Sequence, residues 1–196
     1  SLETYHGASR EGRGSSGPLS VEDPRLVMPV TRAFIAAAED AGYPHIPDLN
    51  APDAEGVGLS QMNRLGRFRG STARTFLARA RRSGNLDVVT GAQVTGLTFD
   101  GRRCAGVEFE QNGVRRTLTA GREVILSAGA LQSPHILQLA GIGDPDHLRT
   151  VGIDVRHALP GVGQNLADHY GARVMVRLKG IGSVNELSHL PRLAWQ

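Results

Sequence analysis

A chain of 196 residues, 40% of them apolar, is long enough for one substantial core and parts of two domains. Its formal net charge is +3 and its pI about 9.6, but 22 basic residues are scattered among 19 acidic ones without interleaved stacking aromatics, which argues against a nucleic-acid surface. No apolar run approaches the ~18–20 residues that cross a bilayer, and the lone Cys104 leaves neither an internal disulfide nor a multi-cysteine metal site.

Residues 1–20 are rich in Gly, Ser and charge and read as a flexible linker; the first residue is Ser, and no basic-then-apolar signal pattern opens the chain. A helix is predicted over 24–42, starting near Pro24, with Val27, Val30, Phe34, Ile35 and Ala38 forming one apolar stripe. Residues 43–58 are a proline-rich loop. Its Asp48, Asn50, Asp53 and Glu55 lack the spacing of a calcium loop, so no metal site is expected. Ser71 is a candidate N-cap for a short helix whose inner face carries Ala73, Phe76, Leu77 and Ala80. The dense arginines 64, 67, 69, 74, 79, 81 and 82 read as a solvated face, or as one that meets acidic groups elsewhere.

From residue 85 the pattern turns to strands. Leu86–Thr90 and Val94–Phe99 are predicted strands, Asp100-Gly101 marks a hairpin turn, and residues 104–110 return. Gln111-Asn112-Gly113 makes a second turn before a strand over 116–120. Cys104, on the return strand, reads as a buried inert thiol in a reducing, cytoplasmic setting.

The stretch that organises the chain is Glu123–Gly143, EVILSAGALQSPHILQLAGIG. Val124, Ile125 and Leu126 have the pattern of a strand buried on both faces. Ser127–Ala130 are small residues, and Ser133-Pro134 is predicted to open a helix ending near Gly141. A strand, a small-residue turn and a helix N-terminus together let backbone approach a phosphate or a flat ring closely. Asp144-Pro145 then starts a short helix, a short strand follows over 152–155, and an apolar strand is expected over 172–178.

SAGALQSPHILQLAGIG resembles the second signature of the glucose-methanol-choline (GMC) family of flavin oxidoreductases, with Gly129, Ala130, Ser133, Pro134, Ile136, Leu137, Gly141, Ile142 and Gly143 in place and Ala140 where Ser is usual. Further pieces fit in order. They are Tyr5-His6-Gly7 followed by Gly17-Pro18-Leu19, then Arg69-x-Ser71-x-Ala73-x-x-Phe76-Leu77. After these come Asn85-Leu86-x-Val88-x-Thr90-x-Ala92-x-Val94, and residues 159–169, LPGVGQNLADH.

The resemblance implies an α/β fold with mixed α+β content: part of an FAD-binding, Rossmann-like domain with a β-meander, plus part of a substrate-binding domain. Residues 1–82 would be a substrate-side, cofactor-covering segment with two helices, 83–169 part of the FAD-binding domain, and 170–196 the start of the substrate-domain sheet. It implies FAD as cofactor, with Val94 placing backbone at the adenine, and Ala128, Gly129, Ser133, Asn165, Asp168 and His169 as the other cofactor-side residues. It assigns no catalytic residue and no metal ligand here, since the family's Gly-x-Gly-x-x-Gly opening and C-terminal catalytic His/Asn pair are not found in this sequence. The expected activity is hydride transfer from a small alcohol, in the manner of choline or alcohol dehydrogenases, with no nucleic-acid partner. By itself this segment is expected to be inactive and to fold poorly or not bind FAD, since the first strand of the sheet is not in it. Two alternatives stand beside the enzyme reading: a truncated, non-catalytic piece of the flavoprotein fold and, more weakly, an NAD-dependent enzyme. Neither the alcohol, the electron acceptor nor the oligomeric state is legible.

Overall fold

The computed structural model describes residues 2–7, 12–172 and 174–187, in two compact units. The first comprises the described residues of 1–87 and 174–196, the second those of 88–173. The helix and strand content is mixed, as expected.

The described residues of the segment that composition reads as a linker are structured in the first unit. Strand β1 (Glu3–Tyr5) pairs in parallel with β2 (Leu19–Glu22), β2 pairs antiparallel with β3 (Met62–Leu65), and β3 with the short β4 (Phe68–Arg69). What orders the segment is a polar core. Tyr5, Val21 and Asp48 are buried, and the Arg13 guanidinium lies 4.2 Å from the centre of the Tyr5 ring. Arg13 Nε is 3.0 Å from Glu3 Oε1, and its Nη1 donates to Asp48 Oδ1 at 3.5 Å. Composition alone does not reveal this, because each partner is far away in sequence.

Tyr5 Oη donates to Asp23 Oδ1 at 2.9 Å. Burial first, then the Asp23 carboxylate, raises the phenol above its ordinary 10.0. The folded state therefore holds its proton more tightly than the unfolded chain. That stabilisation is complete below pH 10 and is lost as pH rises through the folded value. Tyrosinate absorbance should show one phenol titrating late, and Tyr5→Phe should remove both that late phase and its share of the alkaline loss of stability.

Helix α1 (Pro29–Asp40) begins five residues later than predicted. Met28, before a proline, is driven to extended backbone with ψ 152°, so the helix starts at the second proline. The predicted stripe is only partly covered: Val30, Ile35 and Ala38 are half-buried, whereas Phe34 is exposed. The segment after β4 is irregular: a π turn over Ala73–Leu77, α2 (Ala78–Ala80) and a 3₁₀ turn over Arg81–Ser83. Ser71 does not cap it by its side chain. Its carbonyl instead accepts from the backbone N–H of Arg74 and Thr75 and from the Thr75 hydroxyl. Thr75 is the buried member, and the expected inner face of Ala73, Phe76, Leu77 and Ala80 lines an open shallow groove within this unit. Residues 174–183 form no strand, and one helical turn follows at Val184–Leu187.

The second unit contains the predicted meander: β5 (Ala92–Asp100), β6 (Arg103–Gln111) and β7 (Val114–Thr119), antiparallel and in chain order. The β6–β7 turn places Asn112 and Gly113 both at positive φ, the geometry that matches strand twist. Leu86–Thr90, predicted as a strand, is not one. Val124–Leu126 also has no sheet partner, and Ile125 is 76% exposed.

Helix α3 (Gly129–Leu139) begins four residues before Ser133, so Ser133-Pro134 lies inside it. Ser133 still satisfies the start of the helix, because its Oγ accepts from the Ala128 N–H at 3.0 Å. The helix ends as predicted at Gly141, φ +76°. Strand β8 (Ile142–Gly143) follows, then α4 (Pro145–Thr150), whose Asp144 N-cap accepts from the N–H groups of Asp146 and His147. The predicted strand at 152–155 is displaced to β9 (His157–Ala158), which pairs in parallel with β8. Phe109, Ile136, Leu148 and Val162 are the buried apolar residues of this unit. Among the described residues no helix is long and apolar enough to cross a membrane, and no cluster of His, Cys, Asp and Glu could hold a metal.

Candidate functional site

Within the second unit, the N-terminal half of α3 faces the glycine-rich loop 161–167. Between them is an open cleft of about 890 Å³. Pro160-Gly161 makes a turn, and Val162 is the buried anchor that holds the loop down. Gln138, on α3, donates from Nε2 to the Val162 carbonyl at 3.4 Å. Gly163 adopts φ +80°, and a Cβ there would come within 2.8 Å of Gln138 Nε2. A side chain at 163 would therefore displace the group that ties loop to helix, apart from its backbone strain.

Ser133 and Asn165 both line this cleft. Asn165 sits at φ +58°, a conformation Asn tolerates better than most residues. Ala128 and Gly129 stand at the mouth of α3. Gly129 has φ +87°, and a Cβ added to it would meet nothing within 4 Å, so its backbone is open to approach. The Ala128 N–H, in contrast, is already used by Ser133. Asp168 and His169 lie just beyond the loop, both exposed; Asp168 Oδ1 accepts the His169 backbone N–H at 2.8 Å. Neither lines the cleft. Val94 is half-buried on β5, opposite Phe109, and also lies outside the lining; a register irregularity falls between it and Gly96.

Sequence reasoning passed over three lining residues: Leu131, Gln138 and His147. Nothing in the sequence sets Gln138 apart from the other polar residues of the same helix, Gln132, Ser133 and His135. His147 carried no signal either, because its ring reaches the cleft only once α4 has folded back.

The site can offer unpaired backbone N–H groups at the start of an eleven-residue helix, the three side-chain amides of Gln138, Gln164 and Asn165, and an apolar lining, with no acidic residue in the lining. That chemistry suits an anionic or flat, hydrogen-bonding ligand and lacks a nucleophile–base pair.

The profile of the GMC oxidoreductase family matches residues 2–171. An oxygen-dependent choline dehydrogenase of Chromohalobacter salexigens is 40% identical over 98% of this chain and 34% of its own length. Its namesake in Staphylococcus saprophyticus is 43% identical over 86% of this chain and 30% of its own length. Among solved structures, an FAD-dependent oxidoreductase from Chaetomium thermophilum superposes with a TM-score of 0.76 at 30% identity, over 83% of this chain and 31% of that one. Pyridoxine 4-oxidase from Mesorbium loti gives 0.74 at 31% identity, over 81% of this chain and 31% of that one. The chain spans about a third of the length of these relatives. Its motifs, its fold and a profile match along most of its length agree: the chain belongs to the GMC oxidoreductase family.

Proposed function

We propose that the chain is part of an FAD-dependent oxidoreductase that takes hydride from the CH–OH group of a small alcohol, choline or one of similar size, in the cytoplasm. The observation that carries this reading is the family match together with the cleft between α3 and the 161–167 loop, which lies between the two best-matching motifs. Within the proposal, residues 1–82 are the cofactor-covering, substrate-side segment, 83–169 belong to the FAD-binding domain, and 170–196 begin the substrate-domain sheet.

The residues present suit the cofactor. Gly129 exposes its backbone at the helix start with free space where a side chain would stand, and the cleft holds no carboxylate to repel a phosphate. In this reading Gly129 and the first turn of α3 offer N–H groups to an anionic portion, with Ala128 and Ser133 fixing that turn. The Val94 backbone reads a flat base edge. Asn165, Asp168 and His169 shape the loop on the far side. Bound FAD supplies the two-electron acceptor. The chain's own part is to hold, orient and exclude water, and the proton-taking base is assigned to none of its residues.

The test is the visible spectrum of the purified chain after incubation with FAD and desalting. Any flavin that the chain retains should be diminished several-fold in Gly163→Ala, and retention unchanged by that substitution would show that the cleft does not hold the cofactor. A colourless chain would show that this segment does not hold the cofactor on its own.

A further inference from the structure

A second cavity in the same unit, of about 380 Å³, shares no residue with the cleft. Phe99 comes from the end of β5, Gly101 and Arg102 from the β5–β6 turn, Ile142 from β8, and Arg156 and His157 from β9 and the residue before it. Three segments distant in sequence thus meet around a pocket whose polar groups are two guanidiniums and one imidazole. The size is at the lower end for a small-molecule site.

The basic groups are held apart from internal partners. Among the described residues no carboxylate lies within ion-pair distance of Arg102 or Arg156, although Asp100 and Asp154 are close in sequence. Two features set the geometry beforehand. The β5–β6 register shifts between Thr98 and Phe99, an irregularity of the kind that re-aims a side chain. The re-aimed Phe99 ring carries the Arg156 guanidinium at 4.5 Å from its centre. The backbone of Arg156 is also pinned, because the Gly141 carbonyl accepts from both Arg156 N–H (2.8 Å) and His157 N–H (3.1 Å). A guanidinium stacked on an aromatic face keeps its N–H edge free, and that planar edge matches the oxygens of a phosphoryl group.

We propose that Phe99, Arg102, Arg156 and His157 form a binding site for a phosphate group, free or as a monoester. Arg156 and Arg102 supply the charge-assisted donors, Phe99 holds Arg156 in place, and His157 adds a ring N–H. The proposal stands independently of the oxidoreductase reading, since the pocket has no residue in common with the cleft.

The test is a titration of the full, isotope-labelled chain with inorganic phosphate at constant ionic strength, following backbone amide shifts. Saturable shifts at Gly101, Arg102, Ile142 and His157 are expected, with affinity reduced roughly tenfold in Arg156→Gln and in Arg102→Gln. Arg102 lies in an exposed turn, so its variant keeps the test decisive if Arg156→Gln folds poorly. Two further arms separate the sources. Saturation by adenosine 5′-monophosphate supports a soluble ester, and saturation by phosphatidic acid vesicles, lost in the same variants, supports a lipid headgroup. Shifts that grow without saturation, or that are unchanged in both arginine variants, overturn the site.

Discussion

Leu148→Ala is expected to destabilise the 88–173 unit by about 2–5 kcal/mol, the range for a buried leucine truncated to alanine. Leu148 is fully buried, at 0% exposure, in a unit with few fully enclosed side chains. Its δ1 carbon would lie 3.6 Å from a Cβ on Gly143, so it packs directly under β8. Its N–H donates to the Asp144 carbonyl and its own carbonyl accepts from Ile153 N–H, which fixes the residue at both ends of α4. Neighbours tied in this way cannot collapse into the space left behind, and the cavity adds to the lost transfer energy. Urea unfolding should show a lower midpoint at unchanged slope. Leu139→Ala, at a position 42% exposed, serves as the control with a much smaller effect. Equal effects at the two positions would show that Leu148 is not a packing centre.

Arg13→Ala should cost the first unit about 3–5 kcal/mol, because it strands a buried carboxylate. The Asp48 side chain is fully buried, and its Oδ2 has no hydrogen-bond partner among the described residues. Oδ1 accepts from Asn50 N–H at 2.9 Å and from Arg13. Removing the guanidinium leaves Asp48 with a single backbone donor in a site closed to water. Glu3 suffers less, since its side chain is 26% exposed and can turn outward. Arg13→Lys should recover only part of the loss: an ammonium cannot both stack on Tyr5 and span Glu3 and Asp48. Combining Arg13→Ala with Asp48→Ala should restore a large share of the stability, as a double-mutant cycle by urea unfolding would measure. If the double variant is no better than the sum of the single ones, the pair is not coupled and this account of the ordered N-terminal segment fails.

Local signals were legible where local physics decides the outcome. The meander turns could be read from Asp100-Gly101 and Asn112-Gly113, because Gly101, Asn112 and Gly113 take a positive φ that few other residues accept. Asp144-Pro145 announced α4, and Gly141 the end of α3, through the same capping chemistry. Errors fell where two signals competed or where the partner was remote. Pro24 and Pro29 both fit a helix start, and only the backbone of Met28 separates them. Ser133-Pro134 has the composition of a helix opening but works from inside the first turns. Val124–Leu126 has strand composition, yet strand formation needs a neighbour that composition does not name. The candidate site was half visible. Ser133 and Asn165 stand on the cleft, whereas Gln138 and His147 join it through tertiary packing alone.

The chain order of the meander bears on how the protein reaches its fold. Asp100 and Arg103 are separated by two residues, whereas β2 and β3 pair Glu22 with Met62 across the whole of α1 and the loop after it. Closing the longer connection costs roughly 2–3 kcal/mol more in chain entropy, by the logarithmic dependence on loop length. The three strands of the meander therefore assemble from contacts that are near neighbours along the polypeptide, the kind that form fastest. During synthesis β1 and β2 emerge ahead of β3, and the antiparallel partner of β2 arrives some forty residues later. Arg13 and Glu3 wait in the same way for Asp48, 35 residues beyond Arg13, so the charges of this segment find one another later than the strands of the meander do.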